Sequence, residues 1–336
     1  MKILIAFGTR PEWIKIKPLF KAFENNGISY NTLFTGQHTD LVKENKFDYK
    51  ISIPEGDHNR LNEVIASVLT CTLDWEDFDY VLVQGDTASA YAVALAAYNR
   101  KVKVIHLEAG LRSYDLNNPF PEEAYRQMIS RIAKINLCPT SLNAESLRKE
   151  KVSGVISVSG NTVLDNLVNV NSHYGETVLV TMHRRENHDS LPEWFKEISK
   201  LAEQHKTLKF KIPLHPNPRV QECKKYLTNI EILDPLSYDQ MVKEISNCRL
   251  IISDSGGIQE EASFLNKKVI VCRKTTERKE TLGTHSFLCK CPSDLNNLFN
   301  NLVNDYKVKN PDQSCPYGDG KSAELIARRL ILNALY

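Results

Sequence analysis

The chain has 336 residues, 42% of them hydrophobic and 25% charged, a globular balance that permits a sizeable core and about two domains at roughly 150 residues each. Its 43 basic and 41 acidic side chains leave a net charge of +2. That excludes a broad basic field for nucleic acid, so any anionic ligand must be held by a local site. No apolar stretch reaches the roughly 20 residues needed to cross a bilayer, which argues against a membrane partner.

From Met1 to Phe7 the apolar run is too short for a signal peptide, and Gly8-Thr9-Arg10-Pro11 ends it without a small-residue cleavage site. Ile3 to Phe7 therefore reads as a first buried strand. A helix follows from about Pro11 to Asn25, with Pro11 in the first turn, where a missing N–H does no harm. Further strands are expected at Asn31 to Thr35, Tyr80 to Gln84, Val102 to Leu107, Ile135 to Cys138 and Val155 to Val158. Helical patterns lie between them, notably Ala88 to Tyr98 and Glu122 to Ala133. The alternation predicts parallel sheet with crossover helices.

The polar stretch from Asn169 to Gly175 is the linker candidate. The pattern then restarts, with strands at Val178 to Met182, Phe210 to Leu214, Ile230 to Leu233, Leu250 to Ser253 and Val269 to Cys272. The expected fold is α/β: two Rossmann-like, doubly wound domains, residues 1–168 and 175–320, facing a central cleft. A last helix runs from about Ser322 to Leu335, and the sequence leaves open whether residues 321–336 pack back on the first domain.

Eight cysteines are spread along the chain, several beside apolar runs, as Cys248 and Cys272 are, where a free thiol acts as a small hydrophobe. Cys289 and Cys291 form a C-x-C pair, but no second Cys/His pair has ligand spacing, so no metal site is expected. Reduced thiols in a cytosol fit a chain without an export signal.

Ligands of doubly wound sheets bind beyond the carboxyl ends of the strands, so polar residues just after each strand carry the chemical interest. Ser255-Gly256-Gly257 follows a buried strand and opens a helix. Ser255 can cap that helix, the glycines admit a ligand close to the backbone, and the N–H groups and dipole favour a phosphate. Glu261, about one turn inside, suits a ribose diol. A plain strand-to-helix turn reads the same residues equally well. Asp86 ends one strand, Glu108 ends another, and Glu122 opens the helix after it. Three carboxyls from successive segments suit general acid/base work, while capping explains Asp86 or Glu122 taken singly. His183 with Arg184 and Arg185, His215 between rigid prolines, and Arg278 after Thr275-Thr276 all follow strands of the second half. The His183 cluster suits a phosphate contact or a proton and also reads as a solvated charge cluster, His215 also reads as a surface His on a rigid turn, and Arg278 points toward the same edge. Gly8-Thr9-Arg10-Pro11-Glu12 is not a dinucleotide fingerprint, so no redox cofactor is indicated.

Taken together, these segments resemble the non-hydrolysing UDP-N-acetylglucosamine 2-epimerases. The matching pieces include Gly8-Thr9-Arg10-Pro11-Glu12, Gln84-Gly85-Asp86-Thr87, Glu108-Ala109-Gly110-Leu111-Arg112 and Pro119-Phe120-Pro121-Glu122-Glu123. They continue through Ser159 to Asp165, His183 to Asn187, His215 to Pro218, Asp254 to Glu261 and Thr275 to Arg278, in the family's order. The resemblance implies a glycosyltransferase-B-like fold and a homodimer. It also implies C2 epimerisation of a UDP-2-acetamido sugar by loss and re-addition of UDP through a 2-acetamidoglucal, without a cofactor. It places Asp86, Glu108 and Glu122 among the acid/base groups and His183 at the departing UDP. Arg10, Lys15, His215, the Ser255-Gly256-Gly257 turn, Glu261 and Arg278 would hold the substrate. Hydrolysing relatives release the free sugar, and the continuation from Pro11 to Lys15 favours the non-hydrolysing branch. Abbreviated segments near Lys43 to Arg60 and Asn169 to Glu176, and the altered Thr39-Asp40-Leu41-Val42, leave two points open. These are activation by a second UDP-sugar near Gln37-His38, and the exact sugar, 6-deoxy and diacetamido variants included.

Overall fold

The structure, a computed structural model, describes residues 1–38, 46–54, 59–308 and 315–334. The departures at 39–42 and part of those between 43 and 60 lie outside the described residues. The chain divides into two compact units: Met1–Asn166 with Tyr317–Tyr336, and Leu167–Pro316. The linker candidate at 169–175 falls inside the second unit, because its residues bond to that unit rather than standing free.

In the first unit the strands are β1 (Lys2–Phe7), β2 (Ser29–Phe34), β3 (Tyr49–Lys50), β4 (Tyr80–Gln84), β5 (Lys103–Leu107), β6 (Ile135–Cys138) and β7 (Val155–Val158). They pair in the order β3-β2-β1-β4-β5-β6-β7. All the pairings are parallel, so every carboxyl end reaches the same edge. The connecting helices are α1 (Arg10–Asn25), α2 (Arg60–Leu69), α3 (Ala88–Asn99), α4 (Glu122–Ile132) and α5 (Ser141–Lys149). Alternation along β1 shows why its run is continuously apolar. Ile3, Ile5 and Phe7 pack with Phe23 and with Ile326 and Leu330 of the C-terminal helix, Ser322–Ala334. Leu4 and Ala6 face the other way, against Ala92, Val93 and Trp75. A strand covered on both faces has no polar side to show.

Pro18 lies inside α1, where it costs a hydrogen bond to the carbonyl four residues back. That carbonyl, of Ile14, accepts instead from Asn166 Nδ2 at 3.2 Å, and Thr162 Oγ1 donates to the next one, of Lys15. Asp165 accepts the backbone N–H groups of Ser322 and Ala323 at 3.1 and 2.8 Å, capping the C-terminal helix. The segment from Thr162 to Asn166 thus ties the last helix to the first within one unit.

The second unit carries β8 (Thr177–Thr181), β9 (Lys209–Pro213), β10 (Glu231–Leu233), β11 (Cys248–Ser253), β12 (Val269–Cys272) and β13 (Ser286–Cys289). Its order is β10-β9-β8-β11-β12-β13, again parallel throughout. The helices are α6 (Leu191–Gln204), α7 (Pro218–Glu222), α8 (Tyr238–Asn247), α9 (Gly256–Phe264) and α10 (Leu295–Asn304). Val178 and Val180 pack with Trp194, Phe195, Phe210 and Phe299 in its core. Strand order reverses between β8 and β11, the switch point at which such sheets receive ligands. Cys138, Cys223, Cys248, Cys272 and Cys289 are buried free thiols.

Lys267 is wholly buried in this unit. Its ammonium donates to the carbonyls of His173 and Cys248 at 2.7 and 2.8 Å and sits 4.3 Å from the Tyr174 ring centre. Tyr174 Oη and Ser172 Oγ donate to the Asn266 and Leu265 carbonyls. Residues 172–174 are therefore fastened to the turn after α9. Burial drives the Lys267 pKa down from 10.5 to about 8, with the Cys248 thiol acting weakly the other way. Below pH 8 the fold must bury the charge, and as pH rises from about 8 towards 10.5 it sheds a proton that the unfolded chain still holds. The Lys267 contribution to stability therefore grows through that window. Thermal melts of wild type and Lys267→Met at pH 7.5 and pH 9.5 are expected to show wild type gaining on the variant at the higher pH. A gap independent of pH would contradict a depressed lysine.

Candidate active site

The carboxyl edge of the first sheet gathers the predicted acids. Gly85, at φ 70, turns the chain after β4 and presents Asp86, whose Oδ2 meets Arg126 Nη2 of α4 at 2.5 Å. Arg126 also reaches Glu123 at 3.2 Å, and Glu123 accepts the N–H groups of Ser113 and Tyr114, which holds the loop after β5. Glu122 begins α4, one turn before Arg126, so the two share a helix face. Its charge lies beside Tyr125, whose pKa is raised chiefly by burial and further by Tyr91 and Glu122. Neither Asp86 nor Glu122 caps a helix: Thr87 caps α3, and Pro121 stands at the start of α4.

Glu108 ends β5 in a left-handed conformation, φ 67, that a residue with a Cβ rarely adopts. Lys15 Nζ lies 2.5 Å from its Oε2, Gln84 Nε2 donates to the same oxygen, and Asn161 Nδ2 donates to Oε1 at 3.4 Å. Strands β4 and β5 are neighbours, so Asp86 and Glu108 leave adjacent strand ends. Lys15, expected on the substrate, is thus placed against a carboxylate. Arg10 is exposed at the start of α1.

The edge of the second sheet is organised by Asp254, fully buried after β11. It accepts the N–H groups of His183 and Arg184 at 3.0 and 2.9 Å and Asn187 Nδ2 at 3.1 Å. His183 stacks on His215, ring centres 5.1 Å apart and planes 10° apart. Burial lowers the pKa of His183, with Asp254 pulling upward, and burial lowers that of His215 as well. Glu261 lies mostly buried within α9. Arg278 is buried, its Nε donating to Glu260 at 2.9 Å while Nη1 meets Glu277. One expectation is corrected here. Ser255 occupies the N-cap position of α9, at φ −81 and ψ 132, but its side chain makes no capping bond. The hydroxyl that does bond there belongs to Ser253, which accepts the Ser255 N–H at 3.0 Å.

Reading the sequence assigned no role of their own to Glu12, Gln84, His106, Arg126, Asn161 and Asp254. Asp254 carried a usable signal, a carboxylate directly after a buried strand. Arg126 carried a weaker one, four residues beyond Glu122 on a helix. Glu12 carried one too, the Thr9-x-x-Glu12 spacing of a capping box, whereas Gln84, His106 and Asn161 act through partners distant in the chain. Among the described residues no cluster of His, Cys, Asp and Glu has the geometry to hold a metal ion. No helix there is long and apolar enough to cross a membrane.

A profile of the UDP-N-acetylglucosamine 2-epimerase family matches residues 21–331. The UDP-N-acetylglucosamine 2-epimerase of Campylobacter jejuni is 38% identical, over 98% of this chain and 97% of that one. A crystal structure of UDP-GlcNAc 2-epimerase from Neisseria meningitidis bound to UDP-GlcNAc aligns at TM-score 0.88 and 33% identity, covering 99% and 100% of the two chains. The Methanocaldococcus jannaschii enzyme in complex with UDP-GlcNAc and UDP aligns at TM-score 0.83 and 30% identity, over 99% and 100%.

The two glycines of α9 differ sharply in room. A Cβ on Gly256 would lie 2.5 Å from Arg278 Nη1 and 2.7 Å from its guanidinium carbon, whereas one on Gly257 meets nothing within 4 Å. Arg278 cannot swing aside without leaving Glu260 and Glu277. Gly256→Ala is therefore expected to cost about 1–3 kcal/mol in urea unfolding, as overpacking does, and Gly257→Ala much less. Equal stability of the two variants would refute this tight fit.

Proposed function

The chain belongs to the UDP-N-acetylglucosamine 2-epimerase family, and from that premise we propose that it inverts C2 of UDP-N-acetylglucosamine or a close analogue by the non-hydrolysing route. An enzyme base takes the C2 proton while the C1–oxygen bond breaks and its electron pair leaves with UDP. A C1–C2 double bond forms, giving the 2-acetamidoglucal. UDP then adds back at C1 as C2 is reprotonated from the other face. Electrons balance without an oxidant or reductant, which agrees with the lack of a dinucleotide fingerprint after β1.

The observation that carries this reading is that Asp86 and Glu108, each against its own cation, leave the adjacent ends of β4 and β5, with Glu122 opening α4. Inversion through a planar C2 needs proton traffic on two faces, hence more than one acid or base. In the second unit, His183 and His215 lie beside the switch point. The N-terminus of α9, not capped by Ser255, offers N–H dipoles to an anion. We assign UDP to that edge, with His183 easing its departure, Arg278 holding the Gly256 turn and Glu261 reaching for the ribose. Within the first unit, Lys15 serves through Glu108. The resemblance that supports the reaction also supports a cytoplasmic homodimer.

Proton NMR of the purified protein with UDP-N-acetylglucosamine in deuterated water tests the proposal. Deuterium at C2 together with a UDP-N-acetylmannosamine signal is expected. Free N-acetylmannosamine plus UDP would move the enzyme to the hydrolysing branch, and no exchange would overturn the substrate. Asp86→Asn and Glu122→Gln are each expected to cut turnover by about a hundredfold or more while UDP still binds, as for a lost acid or base. Near-normal turnover in both would remove these carboxyls from the chemistry.

A further inference from the structure

Asp86 sits in the middle of a three-residue turn, and both of its neighbours are gripped by buried titratable side chains that the proposed reaction does not consume. On one side, the Gly85 carbonyl accepts from His106 Nε2 at 2.8 Å. His106 is fully buried, and burial, helped by the Arg112 charge, takes its pKa down to about 4. The ring is therefore neutral at ordinary pH, and its single proton must lie on Nε2 to serve the carbonyl. Nδ1 lies 3.4 Å from Ser130 Oγ, whose hydroxyl donates to the Arg126 carbonyl at 2.8 Å. Ser130 stands one turn beyond Arg126 on α4, the residue that meets Asp86. One imidazole thus touches both the turn that bears Asp86 and the helix that bears its cation.

On the other side, Thr87 Oγ1 donates to Glu12 Oε1 at 2.5 Å and accepts the Ala90 N–H at 3.0 Å. Glu12 is 1% exposed. Its Oε2 collects the N–H groups of Gly8 and Thr9 at 2.8 and 2.7 Å and the Thr9 hydroxyl at 2.9 Å. Burial pushes its pKa up and these four donors pull against it. A carboxylate accepts all four, whereas an amide or an apolar side chain leaves buried donors unmet. The loop after β1 and the turn after β4 are so fastened to one group.

We infer that Glu12 and His106 are positioning residues that clamp the Gly85-Asp86-Thr87 turn from both sides and set the reach of Asp86 to the reacting carbon. This rests on the reading of Asp86 as an acid/base group. His106 aims at a loop carbonyl rather than filling core, a costly use of a buried titratable group unless the loop's position matters, and Glu12, beyond closing the capping box of its own helix with Thr9, spends its second oxygen on Thr87. Displacements on the order of 1 Å can cost on the order of a hundredfold in rate.

The test is steady-state kinetics on UDP-N-acetylglucosamine for Glu12→Gln, His106→Leu and His106→Gln, with UDP affinity and thermal melts alongside. A clamp predicts kcat down by about tenfold or more in the first two, KM and UDP affinity changed by less than about twofold, and recovery in His106→Gln, whose amide N–H can still serve the Gly85 carbonyl. In an Asp86→Asn background the same changes should cost less than about twofold, because they act through Asp86. Unchanged kcat, losses that persist at full size without Asp86, or no recovery in His106→Gln would overturn the clamp. If Glu12→Gln does not fold, Thr87→Val against Thr87→Ser tests the other end of the bond, and equal kcat there overturns it. A wild type without C2 exchange would sink the reaction and the clamp together, whereas an active wild type with indifferent variants sinks the clamp alone.

Discussion

A parallel sheet covered on both faces can keep polar groups only at its ends, and that constraint organises each unit of this chain. Strands such as Tyr80–Gln84 and Val269–Cys272 are buried along their whole length. Their loops therefore begin abruptly, with a glycine or a charged side chain directly after the strand. Gly8 follows β1, Gly85 and Asp86 follow β4, Glu108 follows β5, and Asp254 follows β11. Because every strand points the same way, all these groups within a unit reach one edge. The chemistry is concentrated there because the rest of the sheet excludes it.

Concentrating charge in this way raises the cost of each buried ion, and the two units answer with one device. In the first, Glu12 takes the backbone N–H groups of Gly8 and Thr9; in the second, Asp254 takes those of His183 and Arg184. A buried carboxylate, Glu12 in the first turn of α1 and Asp254 directly after β11, gathers a strand-end loop, and the loop in turn solvates the carboxylate. The exposed or half-exposed groups beside them, Arg10 and His183, gain a fixed backbone without themselves being locked. Cations are placed by the same economy: Arg126 serves Asp86 and Glu123, and Arg278 serves Glu260 and Glu277. Fixed dipoles and charges that need no rearrangement are what the proposed reaction, with its departing anion, would use best.

How much of this was legible in the sequence depended on whether the cause was local. Tyr80–Gln84, Ile135–Cys138, Val155–Val158 and Val269–Cys272 were bounded to the residue, because short apolar runs flanked by polar breaks have one simple reading. Strand β3, two residues long, and edge strand β13, Ser286–Cys289, whose apolar run is only Phe287 to Cys289, were missed. Both are specified by the neighbour they pair with rather than by their own pattern. Asp86, Glu108 and Glu122 stood out by position alone, as acids just past strands or opening a helix. Their partners did not: Lys15 lies 93 residues from Glu108, and only folding brings them together. The cap assigned to Ser255 failed for another reason, since residue type suggests a cap but the rotamer decides it.

That failure bears on how the second edge works. A helix begins with N–H groups that have no partner in the helix, and a bonded Ser cap normally satisfies one of them for about 1 kcal/mol. At α9 the Ser255 side chain does not do so, and Gly256 and Gly257 supply none. Gly256 is required to be bare by the Arg278 guanidinium, whereas Gly257 faces open space, so packing explains the first glycine and not the second. An uncapped helix start with one glycine that packing does not need is a local loss of stability at the switch point of an otherwise well-paired sheet. Stability forgone where strand order reverses fits the UDP site proposed there, because the same N–H groups cannot both be closed by the protein and be offered to a phosphate.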